Sequence, residues 1–353
     1  MPDRASALVV GASGVVGRNL VNFLAGRPGW RVTGLSRRRP EVPAPVDWVE
    51  VDLLDEADCR ARLVGLDHVT HLFYAGYVER PSRAELVAPN LAMLRNAVEA
   101  VVAQAPGLAH VNLIEGTKWY GSHLGPFKTP AKESDPRHVP PNFYFDQQDY
   151  LDARQNGQGW TWSALRPHAV CGFSLGFPMN LTMVIAIYAA IMKELGRKFS
   201  FPGRPAAYGA LYQVTDAPLL AKAMLWAATT PACANQAFNI TNGDYFRWIN
   251  LWPGFARAFG MDLGEPEPII LTDFMADKEP VWQRIVARHG LKPYRLRDLV
   301  QWPFGDFVFA TEWDVMSDTV KARRYGFCDA VDSEQMFLRL FDEFRAAAVL
   351  PRG

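Results

Sequence analysis

Val9-Val10-Gly11-Ala12-Ser13-Gly14-Val15-Val16-Gly17 stands close to the start of this 353-residue chain. The apolar run Ala7-Leu8-Val9-Val10 that leads into it reads as a parallel strand buried on both faces. Arg18 to Leu24 carries Leu20, Val21 and Leu24 at helical spacing. Three glycines at GxxGxxG spacing, between a strand and a helix, form a dinucleotide-binding turn. Gly11 allows the tight turn, Gly14 the close approach of backbone to a diphosphate, and Gly17 close packing of helix on strand. The first turn of the helix offers unpaired N–H groups and the positive end of its dipole to that anion. Ser13, Val15 and Val16 fall at the same contact.

Outward from the turn, strands and helices alternate. Arg31 to Leu35 reads as a second strand, Trp48 to Val51 as a third, Val69 to Tyr74 as a fourth, His110 to Ile114 as a fifth and Trp160 to Leu165 as a sixth. Asn90 to Val102 reads as a long amphipathic helix. The alternation predicts an α/β fold, a doubly wound parallel sheet of Rossmann type over residues 1–172. Gln236 to Ile240 reads as one more strand, so a segment near 205–243 is expected to return to the sheet. Residues 173–353 are expected to form a smaller, mainly helical, substrate-binding lobe over the carboxyl ends of the strands, where a ligand cleft belongs.

The end of the second strand distinguishes the two nicotinamide dinucleotides. A carboxylate there binds the ribose 2′-hydroxyl of NAD, whereas an arginine accommodates the 2′-phosphate of NADP. Here the strand runs into Ser36-Arg37-Arg38-Arg39 with no carboxylate. Guanidinium groups hold a phosphate by charge-assisted, often bidentate hydrogen bonds. The expected cofactor is therefore NADPH, held by Ser36, Arg37 and Arg38, while Arg39, next to Pro40, reads as a surface turn. Asp52 and Leu53, after the third strand, are placed toward the adenine. Ala75 follows the fourth strand at the same edge.

Bulk properties narrow the partners. Charge is balanced, with 37 basic and 37 acidic residues, so there is no basic field for nucleic acid. Cys59, Cys171, Cys233 and Cys328 are scattered without zinc spacing, which suits reduced thiols in a cytoplasmic protein and no metal. The apolar run Leu181 to Met192 is too short to cross a bilayer and reads as a buried helix, so no membrane partner is expected. Eleven tryptophans could serve a pocket, but core packing is the plainer reading of each.

A dinucleotide turn promises hydride chemistry, and carbonyl reduction needs an acid at the developing oxyanion. Tyrosine serves when a nearby cation assists it. Many reductases place Tyr and Lys four residues apart on one helix. No tyrosine here has that partner, for Tyr144 is followed by Gln148 and Tyr150 by Arg154. Either the chain is no such reductase or the lysine comes from elsewhere. Gly116-Thr117-Lys118-Trp119-Tyr120-Gly121, after the fifth strand, offers Lys118. Pro141-Asn142-Phe143-Tyr144-Phe145 then places Tyr144 at the start of the next helix, facing the same cleft.

These segments resemble the progesterone 5β-reductase and iridoid synthase-like family of atypical extended short-chain dehydrogenases. The resemblance spans nearly the whole chain. It rests on the glycine turn, Ser36-Arg37-Arg38, Thr70-His71-Leu72-Phe73-Tyr74, Gly116-Thr117-Lys118-Trp119-Tyr120, Pro136-Arg137, Asn142-Phe143-Tyr144, Arg166-Pro167, Gly172-Phe173-Ser174 and Met179-Asn180-Leu181. It implies that Tyr144 and Lys118 are the catalytic pair, that Val170 and Met179 approach the cofactor, and that the protein is a homodimer. It also implies NADPH-dependent hydride addition to the β-carbon of an enone or enal, with Tyr144 stabilising the enolate. The substrate would be a small apolar carbonyl compound. Phe127, Phe143, Phe177, Trp302 and Phe304 are candidate pocket residues, with core packing as the alternative for each. The family usually carries His at Trp119, Tyr at Phe145 and Glu at Gln148, and the loop before Gly125-Pro126-Phe127 is longer here. Competing expectations are a carbonyl reductase on the same scaffold, a nucleotide-sugar epimerase or dehydratase, and a non-catalytic NADP sensor.

Overall fold

The computed structural model describes residues 5–40, 46–177 and 179–352. Its first half alternates strand and helix. β1 (Ala5–Val10) is followed by α1 (Val15–Ala25), β2 (Trp30–Ser36), β3 (Asp47–Glu50) and α2 (Glu56–Arg62). Then come β4 (His71–Tyr74), α3 (Arg83–Gln104), β5 (His110–Ile114), a 3-10 turn (Thr117–Tyr120), α4 (Phe143–Gln155) and β6 (Thr161–Pro167). Burial explains the strands. Ala7 to Val10 are all within 1% of fully buried, as a central parallel strand requires.

α3 begins seven residues before the sequence pattern suggested. Pro89 reads as a breaker, yet it lies inside the helix. The Ser82 hydroxyl caps the first turn by accepting from the Glu85 N–H. The Asn90 side chain secures the following turn on the Leu86 and Val78 carbonyls. With 22 residues, α3 is long and apolar enough to cross a bilayer by composition. In this fold it packs on α4, α2 and β4, with Leu86, Met93, Leu94, Ala97, Val98 and Val101 buried.

The second half adds β7 (Val170–Cys171), α5 (Leu181–Glu194), α6 (Pro205–Gly209), β8 (Leu211–Tyr212), β9 (Thr215–Asp216), α7 (Ala217–Thr229), β10 (Gln236–Ile240) and β11 (Phe246–Arg247). It ends in seven helices: α8 (Trp248–Ala258), α9 (Leu271–Phe274), α10 (Glu279–His289), α11 (Leu296–Leu299), α12 (Trp302–Phe309), α13 (Val320–Arg324) and α14 (Ser333–Ala346). β10 returns to the sheet beside β6, giving seven parallel strands in the order β10-β6-β5-β4-β1-β2-β3.

That order reverses between β1 and β4, where a crevice opens at the carboxyl ends of the strands. One apolar cluster lies between the sheet and α2 and α3, and another between the sheet, α1 and α7. The largest belongs to the helical lobe. α5 is buried from Leu181 to Met192 and is surrounded by Phe201, Trp248, Trp252, Trp282, Phe337 and Phe341. These tryptophans form the lobe's core, the plainer of the two sequence readings. A small fourth cluster, Trp119, Tyr120, Ala131 and Phe145, fills the space under the loop after β5.

Candidate functional site

The glycine turn sits at the reversal. Gly11 adopts φ +75°, and a Cβ there would come 2.5 Å from the Ala75 carbonyl oxygen. Only glycine meets both demands. A Cβ on Gly17 would lie 2.4 Å from the Gly11 oxygen, so α1 packs directly on the turn. Gly14 is different. It caps α1 without a side-chain partner, and a Cβ there would make only ordinary contacts, with the Gly11 carbonyl oxygen at 3.4 Å and the Phe177 ring at 3.9 Å. Space is thus kept open over the helix end for a ligand's diphosphate, and Phe177, expected in the substrate pocket, stands over this turn. Ser13 and Val16 are half-buried beside it and Val15 is buried.

Ser36 ends β2 buried, its hydroxyl donating to the Arg38 carbonyl at 2.5 Å. Arg37 and Arg38 are exposed and form no ion pair among the described residues. Two uncommitted guanidinium groups beside a diphosphate cradle fit a 2′-phosphate. The Asp52 carboxylate accepts from the Leu54 N–H within its own turn, and Leu53 is buried. Val170 and Met179 are half-buried on the segment that leads from β7 to α5. There Gly172 lets α1 and α7 close together, because a Cβ would meet that of Ala217 at 2.5 Å.

Lys118 and Tyr144 are brought to one place by Asn142. Its side-chain oxygen accepts from the Tyr144 N–H at 3.1 Å and caps α4. Its side-chain nitrogen donates to the Lys118 carbonyl at 2.9 Å. One amide therefore joins the turn carrying Lys118 to the helix carrying Tyr144. The Tyr144 hydroxyl rests on Gly116, where a Cβ would lie only 3.2 Å away. The spacings Gly-x-Lys and Asn-x-Tyr thus have one physical cause.

Among the described residues no hydrogen bond joins the Lys118 ammonium to the Tyr144 hydroxyl. The ammonium lies 5.7 Å from the centre of the Phe307 ring on α12, across the cleft. Lys118 is exposed to the cleft, yet enclosure by surrounding protein lowers its pKa, with the Glu79 carboxylate pulling the other way. Burial raises the Tyr144 pKa, and the carboxylates of Glu115 and Glu79 raise it further. The phenol is therefore a protonated donor at neutral pH.

The candidate pocket residues divide. Phe143 is buried between Tyr77, at 5.7 Å between ring centres, and Tyr144, at 4.3 Å. Phe127 packs between the loop cluster and the lobe. Trp302 and Phe304 pack on the lobe's core, whereas Phe307, three residues further on, faces Lys118. Sequence reading missed Phe307, and it missed Tyr77, which donates to Glu79 at 2.5 Å. It also missed a buried network behind the site. Arg166 donates from Nε to Glu115 at 2.7 Å, and from its other nitrogens to Tyr120 and Gln148 at 3.0 Å each. Gln148, which departs from the family pattern, is thus a neutral ligand of Arg166, and the carboxylate comes from Glu115.

Comparison with known proteins identifies the family. A family model described as a PRISE-like Rossmann-fold domain matches residues 7–351. The (S)-8-oxocitronellyl enol synthase of Nepeta cataria is 37% identical over 98% of this chain and 93% of its own. The 3-oxo-Delta(4,5)-steroid 5-beta-reductase of Arabidopsis thaliana is 35% identical over the same shares. Among solved structures, the UDP-glucose 4-epimerase of Thermotoga maritima superposes with a TM-score of 0.67 at 18% identity, covering 97% of this chain and 99% of that one. At that identity the likeness is one of fold. The matched span and the level of identity to the two plant enzymes place the chain in the PRISE-like Rossmann-fold family, as an oxidoreductase of the short-chain dehydrogenase superfamily.

Proposed function

We propose that the protein is an NADPH-dependent reductase of α,β-unsaturated carbonyl compounds. One observation supports this most. Asn142 ties the backbone of the turn bearing Lys118 to the first turn of the helix bearing Tyr144, with no lysine four residues after the tyrosine. The named activities of the plant relatives, an enol synthase and a steroid 5-beta-reductase, point the same way.

The residues fit the cofactor. Gly11 and Gly17 let the turn and α1 pack tightly, Gly14 leaves the helix end bare of a side chain where a diphosphate can approach, and the exposed Arg37 and Arg38 supply the charge for a 2′-phosphate. Bound there, NADPH supplies a hydride to the β-carbon of the enone. As the carbonyl oxygen gains charge, the Tyr144 hydroxyl donates a hydrogen bond to it and stabilises the enolate. Burial keeps that hydroxyl protonated, which suits a donor rather than a base. Lys118, on the turn tied to α4, would supply positive charge to the same cleft and hold the cofactor's ribose. Phe307 and Phe143 give the cleft an apolar wall suited to a small apolar substrate. A proton from water completes the α-carbon.

The test is oxidation of NADPH with 2-cyclohexenone, an NADH control and identification of the product. Saturated ketone with a strong preference for NADPH is the expected outcome. Allylic alcohol would make the protein a carbonyl reductase. No turnover with any enone or carbonyl compound would leave it a cofactor-binding protein.

A further inference from the structure

Arg166 and Glu115 form an ion pair with side-chain exposures of 2% and 0%. Burying two charges costs more than one pair usually returns, so such a pair is weak evidence for stability. Its location suggests another role. Glu115 immediately precedes Gly116, on which the Tyr144 hydroxyl rests. The Arg166 guanidinium lies 3.6 Å from the centre of the Trp119 ring, next to Lys118. It donates to Gln148, one helical turn after Tyr144, and to Tyr120, whose hydroxyl donates to Asn239 on β10 at 2.6 Å. One cation therefore ties together the end of β5, the turn bearing Lys118 and the helix bearing Tyr144. The second oxygen of Glu115, Oε1, is buried with no donor.

We infer that Glu115 and Arg166 are positioning residues for the Tyr144 hydroxyl, and that reduction requires their ionised pair. This rests on the reading of Tyr144 as the group that stabilises the enolate. Glu115 holds Arg166 from below, and Arg166 in turn fixes the first two turns of α4 and the turn after β5. Protonating Glu115 leaves the guanidinium without its counter-charge and frees both elements to shift. Burial lifts the Glu115 pKa to about 6, against the pull of Arg166 and Arg137 and with Asp149 adding to the rise. Arg137 and Asp149 are paired with each other at 2.5 Å. The Glu133 carboxylate raises the Tyr120 pKa, and Tyr144 itself feels the Glu115 charge. A kcat that depends on the carboxylate is therefore expected to fall on the acid side, as Glu115 takes up its proton.

The test uses the full-length protein with NADPH and 2-cyclohexenone. In the wild type, kcat is expected to fall on the acid side while KM stays constant. A kcat that stays flat down to the pH at which the protein unfolds overturns the inference. Glu115→Gln is expected to lower kcat on the order of tenfold or more, with KM within about twofold, and to abolish the acid limb. Adding Gln148→Glu places a carboxylate on the other side of the same guanidinium and is expected to restore most of kcat. A folded Glu115→Gln protein with wild-type kcat overturns the inference, as does a folded double variant no faster than Glu115→Gln. If Glu115→Gln does not fold, the double variant is compared with the wild type: a kcat close to the wild-type value supports the pair, and a folded double variant slower by tenfold or more overturns it. Tyr144→Phe serves as the control. If it leaves turnover unchanged, the reading of Tyr144 fails. If it abolishes turnover while the pair's variants do nothing, only the positioning role fails.

Discussion

Tyr144 carries the proposed hydrogen-bond donor role, and its neighbours and the arginine run lead to measurable outcomes as well. Tyr144→Phe removes one hydroxyl oxygen and leaves the ring packed on Phe143. Turnover is expected to fall about a hundredfold or more while NADPH affinity holds, as when a transition-state donor is lost; steady-state rates and cofactor titration check both halves. Gly116→Ala is a gentler probe. Its Cβ would press on the Tyr144 hydroxyl from 3.2 Å, so kcat is expected to drop with little change in thermal stability. Arg37→Ala with Arg38→Ala is expected to raise the NADPH Kd far more than that of NADH, because only NADPH has a 2′-phosphate to lose; equal weakening would remove both from the 2′-phosphate site. Lys118, Tyr144 and the arginine run could be proposed from the sequence because local motifs and the family resemblance mark them. Glu115, Tyr77 and Phe307 were not. Each acts through a neighbour distant in sequence, as Glu115 does through Arg166, 51 residues on. The only signal for Glu115 was a carboxylate closing a strand that should be apolar.

At the scale of elements, the end of the turn after β5 and the start of α4 behave as one unit stitched by Asn142. Asn142→Ala is expected to cost about 1 kcal/mol of stability, the usual worth of an N-cap. It is also expected to lower kcat, because the same side chain holds the Lys118 carbonyl. Urea unfolding and kcat measured on one preparation check the two effects together. A stability loss with unchanged kcat would reduce Asn142 to an ordinary cap. Strands and the glycine turn were readable because buried parallel strands are continuous apolar runs. The start of α3 was not, because Pro89 interrupts the pattern while Ser82 and Asn90 secure the turns around it. Trp302 and Phe304 on α12 were singled out, but not the face of that helix that carries Phe307. That is decided by how the lobe docks, which no local pattern encodes.

For the whole molecule, the reversal of strand order fixes where the site must be. Gly11 and Ala75 meet at the reversal, Lys118 and Tyr144 follow the next strand, and α12 closes over them from the lobe. The doubly wound order could be expected from the alternation of strands and helices. The docking of the lobe, through contacts such as Arg339 on α14 with the buried Asp216 at 2.6 Å, could not. A ligand in this crevice stabilises the whole chain by mass action. At a hundred times its Kd, NADPH is expected to add about 2.7 kcal/mol, which for a protein of this length raises Tm by roughly 4 °C. NADH at the same concentration is expected to give a smaller shift, and thermal unfolding with each cofactor checks it. The central claim concerns which carbon receives the hydride. The most direct measurement supplies NADPH deuterated at the transferable position of the nicotinamide with 2-cyclohexenone, and locates the label in the product by NMR. Deuterium on the β-carbon of cyclohexanone is the predicted result; deuterium on the carbinol carbon of an allylic alcohol would contradict the account.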